Sequence, residues 1–124
     1  MIEESGQGEL PELVRRWIDR FTAGDVEGLV SLYAPGALID VASEEVRGRQ
    51  ELAYRLRLLG ERIKGLQVKA AWAVPSTATL GFETMVGGWL GEARIRHEWV
   101  LDGGRIRSHV LQVVDRRRPS PMAA

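Results

Sequence analysis

Two histidines, four tryptophans and no cysteine bound the chemistry open to this chain. An imidazole titrates near neutral pH, so His97 and His109 are the candidate acid/base groups or ligand anchors. His97 falls in the alternation Ala93, Ile95, His97, Trp99, Leu101, an apolar strand face on which a polar ring needs a hydrogen-bond partner. The facing of His109 depends on the turn at Asp102-Gly103-Gly104. A two-residue turn pairs Trp99 with Ser108 and sets Val110 and Gln112 beside His97. A turn one residue longer brings His109, Leu111 and Val113 to that face instead. Trp17, Trp72, Trp89 and Trp99 each offer a large apolar surface and one N–H, which suits pocket walls and core alike. Glu83 would be an attractive base if it faced inward, but alternation puts Phe82 in the core and Glu83 outside. Without cysteine there is no disulfide, thiol nucleophile or thiolate metal site. Neither histidine stands in an H-x-x-x-H or H-E-x-x-H setting, so neither a metal nor another cofactor is expected.

These residues need elements to hold them, and the chain supplies one domain's worth. Its 124 residues, 44% hydrophobic, close a single core. Basic and acidic residues balance at 17 each, which excludes a global field for nucleic acid or an anionic membrane. The acidic start is unlike a signal peptide and no apolar run approaches a membrane span, so a soluble cytoplasmic protein is expected. Leu10, Leu13, Val14, Trp17, Ile18 and Phe21 lay one stripe on a first helix that Gly24 stops. Asp25 caps a second helix expected to reach Tyr33 and end at Pro35-Gly36. A short strand over 37–41, a polar loop through Arg47-Gly48 and a third helix over about 49–62 follow.

From Gly65 the period changes to two. Leu66, Val68, Ala70, Trp72 and Val74 predict one strand face, and Ala78, Leu80, Phe82, Thr84 and Val86 the next. The His97 strand and a last strand over 105–115 complete a meander. Arg94, Arg96 and Glu98, with Arg107, read as a solvated or dimer-facing outer surface. Residues 1–8 and 116–124 are expected to be disordered, flanking a domain over 9–115. The expected fold class is α+β, three N-terminal helices packed on a curved, mostly antiparallel sheet.

Three segments in this order resemble the NTF2-like or SnoaL-like family. They are Gly24-Asp25-Val26-Glu27-Gly28-Leu29-Val30-Ser31-Leu32-Tyr33-Ala34-Pro35-Gly36-Ala37, Val46-Arg47-Gly48-Arg49-Gln50-Glu51-Leu52 and Asp102-Gly103-Gly104-Arg105-Ile106. The resemblance covers about residues 10–115 and implies a cone-shaped pocket between the sheet and the helices. It implies no one chemistry, because the fold hosts isomerases, cyclases, dehydratases, epoxide hydrolases and non-catalytic proteins. In ketosteroid-isomerase-like members a helix-one tyrosine, a first-strand aspartate and a later-strand aspartate act together. Those positions fall here on Trp17, Val41 and His97, and none is matched; Asp40 is one residue early and points to the other face. In epoxide-hydrolase-like members an Asp-Arg-Asp set activates water, and its last-strand aspartate falls on Leu111.

The resulting expectation is a pocket that binds an apolar small molecule. Trp17, Tyr33, Val41, Trp72, Phe82, Trp99 and Leu111 would line it, with His97 and His109 as the catalytic candidates. One alternative is a cofactor-free acid/base enzyme working through His97. Another is a non-catalytic domain that forms a homodimer through its sheet.

Overall fold

The computed structural model describes residues 3–4, 10–41, 44–62, 67–88 and 91–117. Its first helix, α1 (Glu12–Ala23), buries Val14, Trp17 and Ile18. Gly24 ends it at φ 71° and bonds back to the last turn, a left-handed cap that glycine adopts without steric cost. The side chain of Asp25 accepts from Gly28 N at 2.9 Å and opens α2 (Val26–Val30).

That second helix stops well short of Tyr33. Leu32 O instead accepts from Ile106 N at 2.9 Å, and β2 (Tyr33–Val41) starts there and runs straight through Pro35-Gly36. The register of β2 shifts between Tyr33 and Leu38, and such an irregularity tolerates a proline that has no N–H to give. The expected polar loop is also a strand, β3 (Glu44–Arg47), antiparallel to β2. Three of its four residues are exposed and only Val46 is buried, so it carries an edge strand's charges and no hydrophobic signal. Then α3 (Arg49–Arg62) follows as the pattern predicts. Arg49 Nε and Nη2 donate to Tyr33 O at 2.9 and 2.7 Å, tying the start of β2 to the start of α3.

The remaining strands are β4 (Gln67–Ala73), β5 (Leu80–Gly88), β6 (Gly91–Asp102) and β7 (Arg105–Arg117). With β1 (Glu3–Glu4) they form one sheet in the order β1-β4-β5-β6-β7-β2-β3. The β2–β7 and β1–β4 pairs are parallel and the others antiparallel, so the α+β architecture stands on a mixed sheet. Within the stretches expected to be disordered, Glu3–Glu4 form a strand and Arg116 and Arg117 belong to β7. Glu3 and Glu4 pair with Ala70 and Ala71, and β7 stays paired out to Arg117. Residues 118–124 lie outside the described part, as does Trp89.

Two bulges decide which side chains face inward. In β4 the register slips between Val68 and Ala70, so Val68 and Ala71 are buried and Trp72 pairs with Glu83 on the opposite face. In the last hairpin Gly103 and Gly104, both at positive φ, make the two-residue turn, with Asp102 facing Arg105. A slip between Val100 and Leu101 then pairs Trp99 with His109, the facing that the longer turn would have given.

The connection over residues 74–79 folds onto the outer face of the sheet. Ser76 Oγ donates to Glu98 Oε1 at 2.9 Å, and Arg96 Nη2 donates to Pro75 O at 2.7 Å. Gly81 makes room for this strap, since a Cβ there would stand 2.6 Å from Ser76 Cβ. Among the described residues no helix is long and apolar enough to cross a membrane.

Candidate functional site

On the inner face α1, β2, β5, β6 and β7 bring five polar side chains into one line. Trp17 Nε1 donates to Tyr33 Oη at 2.9 Å, and Tyr33 Oη lies 2.7 Å from His109 Nδ1. His109 Nε2 is 2.9 Å from His97 Nδ1, and His97 Nε2 is 3.0 Å from Thr84 Oγ1. Aromatic rings enclose the line. Phe82 stacks on His97 at 4.3 Å and 2°, while Trp17 and Trp99 meet His109 edge-on at 5.8 and 5.5 Å. His97 and His109 are each 1% exposed. Cross-strand pairing explains the convergence, because Phe82, His97 and Leu111 share one row and Trp99 and His109 the next.

The expected hollow lined by tryptophan and imidazole is therefore corrected. Among the described residues these rings fill the space between sheet and helix, as close-packed interiors do. A niche of about 30 Å³ beside Met85, Glu92, Ala93, Arg94 and Asp115 lies away from them. Of the nine residues singled out in the sequence, Trp17, Tyr33, Phe82, His97, Trp99 and His109 come together, and Leu111 packs at their edge. Trp72 is on the other side of the sheet and half-buried, because the β4 bulge reversed its facing. The side chain of Val41 lies outside the described part, although its backbone pairs with Leu111.

Thr84 is the residue that sequence reasoning missed. Its inward position in the β5 alternation was visible, but its role as the end of the line needed the cross-strand register. Glu83 does face outward, yet it is only 7% exposed there, with Arg94 Nη1 at 3.9 Å.

Burial sets the electrostatics. It lowers the His97 imidazole to about 3. Burial also holds His109 well below its usual range, with the His97 charge adding to the effect. The Tyr33 phenol is raised by the same desolvation and stays protonated. The line is thus neutral at ordinary pH, with every imidazole nitrogen engaged in a hydrogen bond. Trp99 Nε1 is buried among these rings without a partner among the described residues. No group of three or more histidine, aspartate and glutamate side chains that could hold a metal occurs among the described residues.

The inner face changes character along β6 and β7. The row beyond His97 and Leu111 pairs Ile95 with Val113. Ile95 and Leu111 are only partly buried and Val113 is 50% exposed.

Comparison with known sequences places this architecture. The SnoaL-like domain family matches residues 14–109. The chain belongs to that family. No curated protein matches it.

Solved structures agree with the SnoaL-like domain in fold. A Catenulispora acidiphila protein described as having a ketosteroid isomerase-like fold, in complex with trimethylamine, superposes with a TM-score of 0.74 at 17% identity, covering 84% of this chain and 86% of that one. A Sphaerobacter thermophilus protein gives 0.70 at 20% identity, covering 84% and 94%. A candidate polyketide cyclase from Sinorhizobium meliloti gives 0.70 at 18%, covering 83% and 95%. At such identities the likeness establishes the shared fold of SnoaL-like domains and no shared chemistry.

Proposed function

We propose that this SnoaL-like domain binds a small apolar molecule on the inner face of its sheet, at the end marked by Ile95, Leu111 and Val113. The buried rings of His97, Phe82 and Trp99 form a solid floor beneath. One observation carries the reading. Next to the sealed rings, a valine with half its surface in water stands beside two partly buried aliphatic residues. Covering such a row stabilises a complex by roughly 25 cal/mol per Å² of apolar surface removed from water. A relative of the same fold holding trimethylamine is a precedent for small-molecule binding.

Acid–base chemistry at His97 has no comparable support. Its ring is sealed, both nitrogens are engaged in hydrogen bonds, and burial keeps it a neutral imidazole and not an imidazolium acid at neutral pH.

An uncharged fluorescent apolar probe such as Nile red tests the proposal. Its emission should rise with the wild-type protein and fall by most of that gain with Val113→Asp. Equal emission from both proteins would remove the site. For assembly, we expect a homodimer through the outer face of the sheet. The strap over Gly81 and Glu98 directs that contact toward β7 and β2. Sedimentation of a monomer at high concentration would rule it out.

A further inference from the structure

The last strand does not keep step with its neighbour to the end. Ile95 pairs with Val113 and Arg94 pairs with Asp115, so Val114 is an extra residue held in a bulge. Beyond the bulge Ala93 pairs with Arg116. Directly opposed residues share a sheet face, so Arg116 stands on the inner face with Ala93. Without the bulge, strict alternation from Val113 would put Asp115 on that face and Arg116 on the other. The slip exchanges an acid for a base at the open end of the inner face.

Arg116 ends the cross-strand row Val68, Val86, Ala93, Arg116. Val68 and Val86 are buried in the core, Ala93 packs against it, and Arg116 is exposed. This row lies about 7 Å along β6 beyond the row of Ile95 and Val113. The inner-face rows through His97, Ile95 and Ala93 contain no aspartate or glutamate. The acids nearest in the pairing, Asp115 and Glu92, oppose Arg94 and Arg117 on the outer face. Among the described residues Arg116 makes no hydrogen bond or ion pair. A cation without a counter-ion therefore borders the open apolar row.

We infer that Arg116 is the anion anchor of the proposed ligand surface, and that the molecule bound there is an apolar carboxylic acid. Its apolar body covers Ile95 and Val113, and its carboxylate meets the guanidinium one row further out. A planar guanidinium takes a carboxylate through two parallel N–H donors, while its aliphatic stem covers apolar surface. It is also more weakly hydrated than an ammonium, which suits a contact beside valine and isoleucine. The apolar row supplies the binding area and Arg116 the choice of head group. The inference rests on the ligand-binding reading above and adds the residue that sets the class of ligand.

4-Phenylbutanoate and 4-phenylbutanamide share a ring, a stem and a planar head, and differ in charge. Titrated at low salt and followed through the Ile95 and Val113 methyl resonances, the acid should bind about three- to fivefold tighter, as an exposed ion pair allows. Arg116→Gln should bring the two affinities together, and Arg116→Lys should keep part of the preference. An exposed side chain at a strand end tolerates either change without loss of the fold. The preference should fade in about 1 M sodium chloride, where the screening length falls to about 3 Å. Equal affinity at low salt, or a preference that survives Arg116→Gln, would overturn the inference. Binding of both probes with equal strength leaves the ligand surface standing without its anion anchor. Binding of neither removes the surface and this role of Arg116 together.

Discussion

The two halves of one sheet face obey different rules. Around His97 and His109 the rings are buried and both imidazoles are hydrogen-bonded at each nitrogen, while Trp99 Nε1 has no partner among the described residues. One row further along β6 and β7, Ile95 and Val113 leave apolar surface in water. The first region is specified by hydrogen-bond complementarity and tolerates little change. The second is specified by shape and hydrophobicity and is the proposed ligand surface.

The widest separation of the two regions by a single substitution should come from His109→Phe. The ring volume survives, but Tyr33 Oη and His97 Nδ1 each lose a partner. At about 1–3 kcal/mol for each orphaned group, the loss should be about 3 kcal/mol, read as a lower urea midpoint at unchanged slope. A loss below about 1 kcal/mol would mean that water already reaches the line.

Acid should attack the same region next. Both imidazoles are depressed by burial, His97 to about 3, whereas an unfolded histidine titrates near ~6.5. The unfolded chain therefore takes up protons first. Stability is full above pH ~6.5 and falls as the pH drops toward the folded values, by about 1.4 kcal/mol per pH unit for each imidazole. Urea midpoints compared at pH 7 and pH 5 should show the decline, and His97→Phe combined with His109→Phe should flatten it. An unchanged midpoint in the wild type would contradict the sealed neutral pair.

The smallest effect belongs to the open row. Val113→Ser removes a half-exposed methyl pair and should change stability by no more than about 0.5 kcal/mol in thermal unfolding. A larger loss would show that Val113 belongs to the core and would erase the contrast between the two regions.

Sequence reading reached the fold because periodicity reports burial and burial organises this domain. The α1 stripe, the α3 span and the inward alternation of β5 and β6 are all visible as 3.6- or 2-residue patterns. Patterns fail where charge or a bulge intervenes. The strand Glu44–Arg47 shows one apolar residue in four, and Trp72 changed faces when the register slipped by one residue at Lys69. The candidate histidines were found by type, and the hairpin left His109 in two positions. The structure chose by combining a two-residue turn with a later bulge, an outcome that neither turn length alone describes.

From its residues alone this chain determined its first and third helices, the inward faces of β5 and β6 and its lack of thiol chemistry, because those depend on neighbours a few positions apart. Tertiary structure decided that the rings close the interior and that Trp17, Tyr33, His109, His97 and Thr84 share one hydrogen-bonded line. Contacts between residues 13, 16, 12 and 76 positions apart are set by strand register and helix docking, and local pattern carries neither.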